Sequence, residues 1–206
     1  MQLGADVASG MILAGAALTF AELGLRATSV EHILKASSVS RRTFYQHYAC
    51  KEDVALVLYK IGTRRLVEAS RRAMSEETEP LRQCERNIDI HLESFVHFGR
   101  LVFVLGGDAQ RPESPLHARR LWAHQEIGAL LANALRGALG HDVDPFLVRT
   151  LVLALEAIPR MLFEETSGEG RELTPERVAR ARAVMTRIVS AVVYGSGPRV
   201  SPLPLR

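Results

Sequence analysis

Apolar residues recur at spacings of three and four along nearly the whole chain, and no run alternates long enough to make a strand. The pattern predicts an all-α protein of about nine helices or fewer. A first helix is predicted from about Gly10 to Leu23, with Ile12, Ala16, Leu18 and Phe20 on its buried side and Gly24 as a left-handed C-terminal cap. Thr28-Ser29-Val30-Glu31 fits a capping box, in which hydroxyl and carboxylate each satisfy a free backbone N–H. It opens a short helix to about Ala36 that buries Val30, Ile33 and Leu34. Ser37-Ser38-Val39 is a turn, and Ser40 caps a third helix through about Tyr48. A longer helix follows from about Lys51 to Met74.

Beyond Met74 the elements lengthen. Pro80 suits a first helical turn. Leu81, Cys84, Ile88, His91, Phe95, Phe98, Val102 and Leu105 then form one seam, which predicts a single helix of about seven turns ending at Gly106-Gly107. After a loop over 108–115, a helix from Leu116 to Leu139 stops at Gly140. Another runs from about Pro145 to Glu165, with Pro159 as a kink. A loop over 167–172 leads to Thr174-Pro175, which start a last helix through Tyr194. The short front and long back divide the chain into a three-helix head at 1–54, a helical bundle at 55–195 and a Pro-rich tail at 196–206. The helix over about 51–74 connects head to bundle.

At 206 residues, 47 % of them hydrophobic and 24 % charged, the chain has the composition of a folded domain that needs no disulfide framework. Its only cysteines are Cys50 and Cys84, which favours a reducing compartment. No segment reaches the ~18–20 uncharged apolar residues that span a bilayer, and no basic region precedes the stretch from Gly10 to Ala21. A cytoplasmic protein with no membrane partner is expected. Net charge is +3, which permits an anionic partner without requiring one.

The charge distribution says more. Two short helices joined by a three-residue turn, the second opening on hydroxyl and basic residues, describe a helix-turn-helix, whose second helix enters the major groove. No acid occurs from His32 to Lys51, whereas Lys35, Arg41, Arg42 and Lys51 fall there. Over Met1 to Val54 the five basic residues only balance five acids, so the basicity is local, as an edge facing phosphates requires. Phe20-Ala-Glu-Leu-Gly24, Thr28-Ser-Val30, Ile33, Val39-Ser40, Thr43-Phe44-Tyr45, His47-Tyr48 and Lys51-Glu52 resemble the N-terminal signature of the tetracycline-repressor (TetR) family, over roughly Ile12 to Leu58.

That resemblance implies a DNA-binding head followed by a bundle that dimerises and binds an inducer. It implies that Thr28 or Ser29 meets a phosphate at a helix start. Ser40, Arg41 and Arg42 would lead the recognition helix to base edges or flanking phosphates. Thr43, Tyr45 and His47 match backbone-contacting positions, as does Lys51 at the next helix start. Phe44 belongs to the core, and Tyr48 stands between core and contact. The implied function is a ligand-responsive transcriptional regulator, a repressor bound as a homodimer to a near-palindromic operator of double-stranded DNA. Ser37-Ser38 replaces the family's usual Ala-Gly turn, Arg42 stands where a glycine often does, and Cys50 occupies a usual serine cap. A thiol at a helix start can be acidified, although a poorly capping small residue is the plainer account.

The bundle offers weaker signals. His91, Phe95, Phe98, Trp122, His124 and Met161 are the candidate ligand-binding residues; His91, the aromatic residues and Met161 read first as core, whereas His124 with Arg120 extends the Ile127-Leu131 face and could place polar groups near a cavity. Glu156 and Arg160 read as a helix-face ion pair. Neither Glu93 with His97 nor His117 with His124 finds a third ligand at a recognisable spacing, so no metal and no cofactor are expected. No nucleophile elbow, phosphate loop or stereotyped carboxylate pair occurs, and an enzyme is not expected. Two stripes, Val148-Leu151-Leu155-Ile158-Leu162 and Val178-Ala181-Met185-Ile188-Val192, are either internal core or a dimer interface through the last two helices. The rival reading is a helical small-molecule-binding protein or enzyme that retains a helix-turn-helix without binding an operator.

Overall fold

The computed structural model describes residues 2–166 and 174–195, which form nine α-helices and no strand among the described residues. In chain order these are α1 (Gln2–Leu23), α2 (Val30–Ser37), α3 (Arg41–His47), α4 (Lys51–Ser75), α5 (Pro80–Phe98), α6 (Arg100–Ala109), α7 (His117–Leu139), α8 (Pro145–Thr166) and α9 (Pro175–Tyr194). The predicted loop over 167–172, the tail over 196–206 and the side chain of Pro159 lie outside the described residues.

Helices α1 to α3 and the start of α4 enclose the head's core, in which Ile12, Ala16, Phe20, Ile33, Phe44 and Val54 are fully buried. Leu18, expected inside, is 67 % exposed. It lies midway between Ala16 and Phe20, on the far side of a helix whose buried residues recur every four positions. Among the described residues, the α1 window Asp6–Leu23 is the one stretch long and apolar enough to cross a membrane by length and composition. Its Ile12, Ala16, Thr19 and Phe20 side chains are nonetheless buried in the head. Gly15 is where α1 and α2 cross closely, since a Cβ there would come within 2.7 Å of the Ser37 amide. Gly24 takes φ +82° to end α1, as a left-handed cap requires.

The long helix expected from Pro80 is broken. Gly99 adopts φ +46°, ψ −120°, a conformation open to glycine, and separates α5 from α6. The apolar seam runs through the break, but the chain turns there. Phe98 and Val102 are therefore exposed, while Leu105 and Ala109 on α6 join Leu116 in the head's core. Helix α6 also continues past the expected stop at Gly106-Gly107 to Ala109.

The second core gathers the C-terminal half of α4 with α5, α7, α8 and α9, around Ile88, Phe95, Ile127, Leu131, Leu135 and Met185. Burial pushes the Cys84 thiol up to about 12. Val148, Leu151, Leu155, Leu162, Ala181 and Met185 are all buried in this core, whereas Ile188 of the second stripe is 39 % exposed. The other uncovered apolar side chains of the same helices are Phe146, Leu153 and Met161 on α8, with Val184 and Tyr194 on α9.

Candidate nucleic-acid interface

Helix α2 begins one residue later than the Thr28–Glu31 pattern suggested. Ser29 is the cap: its hydroxyl accepts from the His32 amide at 3.2 Å, and His32 Nδ1 accepts from the Ser29 amide at 3.3 Å. Glu31 is thereby released from the box and forms an ion pair with Arg41 of α3. Ser37 is buried and donates to the Ile33 carbonyl at 2.7 Å, and Ser38 turns the chain in the left-handed conformation at φ 55°, ψ 29°. Ser40 then caps α3, its hydroxyl accepting from the Thr43 amide at 3.0 Å and lying 2.8 Å from the Thr43 hydroxyl.

Two aromatic residues fix α3. Phe44 is fully buried, and Tyr48, just past the helix, is 9 % exposed with its hydroxyl 2.8 Å from Ser9 Oγ. With these inside, Ser40, Arg41, Arg42, Tyr45 and Gln46 are exposed, while Thr43 and His47 are half-buried. Gln46 is missing from the expected contact set. Its spacing of four from Arg42 was the available signal, because that puts both on one helix face.

Three expected contact residues are turned inward. Thr28 is 1 % exposed, and its hydroxyl donates to the Gly24 carbonyl at 2.8 Å and the Thr19 carbonyl at 3.2 Å, closing the end of α1. Tyr48 belongs to the core. The Lys51 ammonium donates to the Leu25, Arg26 and Thr28 carbonyls at 2.9, 3.0 and 2.5 Å, which uses all three of its protons. Lys51 therefore ties the α1–α2 turn to the first turn of α4 and positions the head. Cys50 precedes α4 without a side-chain capping bond, and burial raises its thiol pKa, opposite to the shift an acidified thiol needs. Asp53 takes over part of the capping role, accepting from the Ala49 amide at 3.1 Å.

The six bundle candidates are not all brought to one place: His91 is close enough to His124 to feel its charge, and Phe95 and Trp122 pack in one core, but Phe98 and Met161 stand apart. Phe95 is core, Phe98 lines an open groove between α4, α5 and α9, and Met161 is 55 % exposed on α8. Trp122 lies beneath the Arg119 guanidinium, 3.3 Å from its ring centre. His91 Nδ1 is 2.8 Å from the Asn87 carbonyl, and burial lowers its pKa. His124 Nε2 is 3.3 Å from Glu156. Glu156 was expected beside Arg160. It is gripped instead by Arg120, whose Nε and Nη2 reach its two oxygens at 2.7 and 2.6 Å across 36 residues of sequence. Burial works to raise the Glu156 pKa, but the bonds from Arg120 and His124 outweigh it and hold the carboxyl at about 2. Arg160 reaches Gln110 at 2.8 Å. No group of three or more His, Cys, Asp or Glu side chains among the described residues is placed to hold a metal.

Residues 12–58 match the sequence profile described as bacterial regulatory proteins, tetR family. The match covers the head and the start of α4, and identifies residues 12–58 as similar to that family's DNA-binding segment. The fold extends the likeness beyond the head. A tetR-family regulatory protein from Rhodococcus RHA1 superposes with a TM-score of 0.72 at 18 % identity, covering 88 % of this chain and 96 % of that one. The regulator FadR from Bacillus subtilis, solved with stearoyl-CoA, gives 0.71 at 16 % identity, covering 91 % and 98 %. The ketosteroid regulator KstR2 of Mycobacterium tuberculosis gives 0.66 at 21 % identity, covering 91 % and 93 %. At these identities the likeness of the bundle is one of fold. No curated protein sequence matches the chain.

Proposed function

We propose that this protein is a cytoplasmic, homodimeric repressor of the tetR family that binds a near-palindromic DNA operator through α3 and leaves it when a small molecule occupies the bundle. The observation that carries the reading is the division of α3. Phe44 and the neighbouring Tyr48 lock the helix to the head, while Ser40, Arg41, Arg42, Tyr45 and Gln46 stand in solvent. A guanidinium pairs in two-pronged fashion with guanine O6 and N7, worth ~1–3 kcal/mol of discrimination per good contact. The Arg41–Glu31 pair is exposed on both sides, so a phosphate or base competes with it easily. Ser29, Ser40, Thr43, Tyr45 and His47 supply the flanking backbone contacts. Thr28, Tyr48 and Lys51 hold the geometry from inside.

Pairing of two chains is assigned to α8 and α9, through their uncovered side chains. Phe146, Leu153, Met161, Val184 and Ile188 are each at least 39 % exposed, the kind of apolar face a partner helix pair covers. A twofold dimer would set two α3 helices ~34–36 Å apart, one turn of B-form DNA. The bound stearoyl-CoA of one structural neighbour and the ketosteroid association of another support an organic effector for the bundle.

Selection of duplexes from a random pool by the full chain tests the reading. It should return an inverted repeat. The double variant Arg41→Ala/Arg42→Ala should then lose at least ~100-fold in affinity for that duplex, as two lost contacts imply. Affinity should also fall steeply with added salt. A failure to enrich any sequence, or an unchanged affinity in the double variant, rejects it.

A further inference from the structure

Helices α4, α5 and α9 enclose an open groove of about 860 Å3, within the ~300–1,000 Å3 common for small-molecule sites. Its apolar surface comes from Leu66 on α4, Ile90, Val96 and Phe98 on α5, and Val178 on α9. Val96 is 53 % and Phe98 42 % exposed, so the chain leaves two large apolar side chains uncovered here. On the α4 wall Gly62 contributes no side chain, and a Cβ built there meets nothing within 4 Å. The missing side chain keeps that wall open.

The charges lining the groove are unequally engaged. Arg182 grips Asp89 with two bonds of 2.6 and 3.2 Å, and Arg86 approaches Asp89 at 3.6 Å. Glu93, exposed on the α5 wall, forms no ion pair among the described residues. Arg65, exposed on α4, forms no ion pair among the described residues. The free guanidinium is on α4 and the free carboxylate on α5, so the α4 side of this apolar trough suits a molecule that is apolar along its length and negative at one end.

We propose that this groove binds a long-chain carboxylate, its chain lying over Val96 and Phe98 and its acid group meeting Arg65. The inference deepens the regulator reading by naming the effector class, and it rests on that reading only for its consequence. Such an occupant touches α4, which enters the head, and the end of α5 immediately before the Gly99 break. It thus bears on both routes from bundle to head.

The test is calorimetric titration of octanoate, decanoate and dodecanoate into the full chain without DNA. Affinity should rise about twofold per methylene, short of the roughly fourfold of complete burial because the groove is open on one side. Dodecyltrimethylammonium should bind at least ~10-fold more weakly than dodecanoate. Gly62→Phe, which fills the trough, should weaken dodecanoate at least ~10-fold, and Arg65→Gln about fivefold, both with unchanged melting temperature. No dependence on chain length, equal binding of the ammonium compound, or wild-type affinity in both variants overturns the assignment. The arms separate from the DNA experiment: failed titrations leave duplex selection untouched, and a failed selection leaves carboxylate binding untouched.

Discussion

In the head, the buried hydroxyls of Thr28 and Ser37 are both bonded to helix carbonyls, and the Lys51 ammonium satisfies three more carbonyls between α1 and α2. The bundle is different. The four buried side-chain polar atoms without a partner among the described residues all lie there, on Ser70, Asn87, Arg177 and Thr186. Asn87 is fully buried on α5, its amide nitrogen 3.5 Å from the Met74 sulfur and its oxygen unpaired. Leaving such an atom unpaired costs roughly 1–3 kcal/mol, a penalty any rearrangement that brings it a partner relieves. The contrast separates a head with one well-determined arrangement from a bundle that other packings penalise less. A reader of DNA needs fixed spacing among its side chains, whereas a receptor gains from a core that can give way.

Cutting into each half measures how far the contrast holds. The largest effect is expected from Phe44→Ala, which empties a fully enclosed site in the head and should cost about 4 kcal/mol in denaturant unfolding. A loss below ~2 kcal/mol would mean that the head relaxes around the cavity, contrary to its being rigidly determined. Arg120→Met in the bundle leaves Glu156 without its two-pronged partner and should cost about 3 kcal/mol at neutral pH.

The same pair predicts a pH dependence. The Glu156 pKa is about 2 in the folded chain against an ordinary 4.5, so the unfolded state takes up the proton first. The pair's contribution is therefore complete above about pH 4.5 and disappears as pH falls towards 2. Denaturation midpoints across that window should fall more steeply in the wild type than in Arg120→Met. Parallel slopes would remove Glu156 from the account. The smallest effect is expected at Ser38, held at φ 55°. Ser38→Gly should stabilise by up to about 1 kcal/mol, and a melting temperature that falls would show that the turn is not strained.

Much of the head was legible because its determinants are local. Ser40 three residues before Thr43, Phe44 facing inward and Gly24 after the last periodic residue of α1 are all relations within one or two turns. The one-residue slip at α2 has a physical cause: the Thr28 hydroxyl closes the end of α1, and the neighbouring serine becomes the cap. The bonds of Lys51 were hidden because its three acceptors lie 23 to 26 residues back in the chain. In the bundle, the Arg120–Glu156 contact spans 36 residues and has no signature in spacing. The Gly99 break was hidden because the apolar period continues across it, although the side chains on its two sides face different cores. The last two helices show the same limit. Their smooth stripes were visible, but periodicity alone could not say which stripe members are covered, as Met185 is, and which stand exposed, as Ile188 does.

Leu105 and Ala109 of α6, with Leu116 beyond it, pack in the same cluster as Ile12, Phe20 and Phe44. A chimera that grafts the first four helices onto a foreign bundle would leave that cluster with an open side. The transplantable module is thus discontinuous in sequence: it comprises the amino-terminal segment together with 100–116, and swaps that ignore the second piece discard part of the first piece's interior.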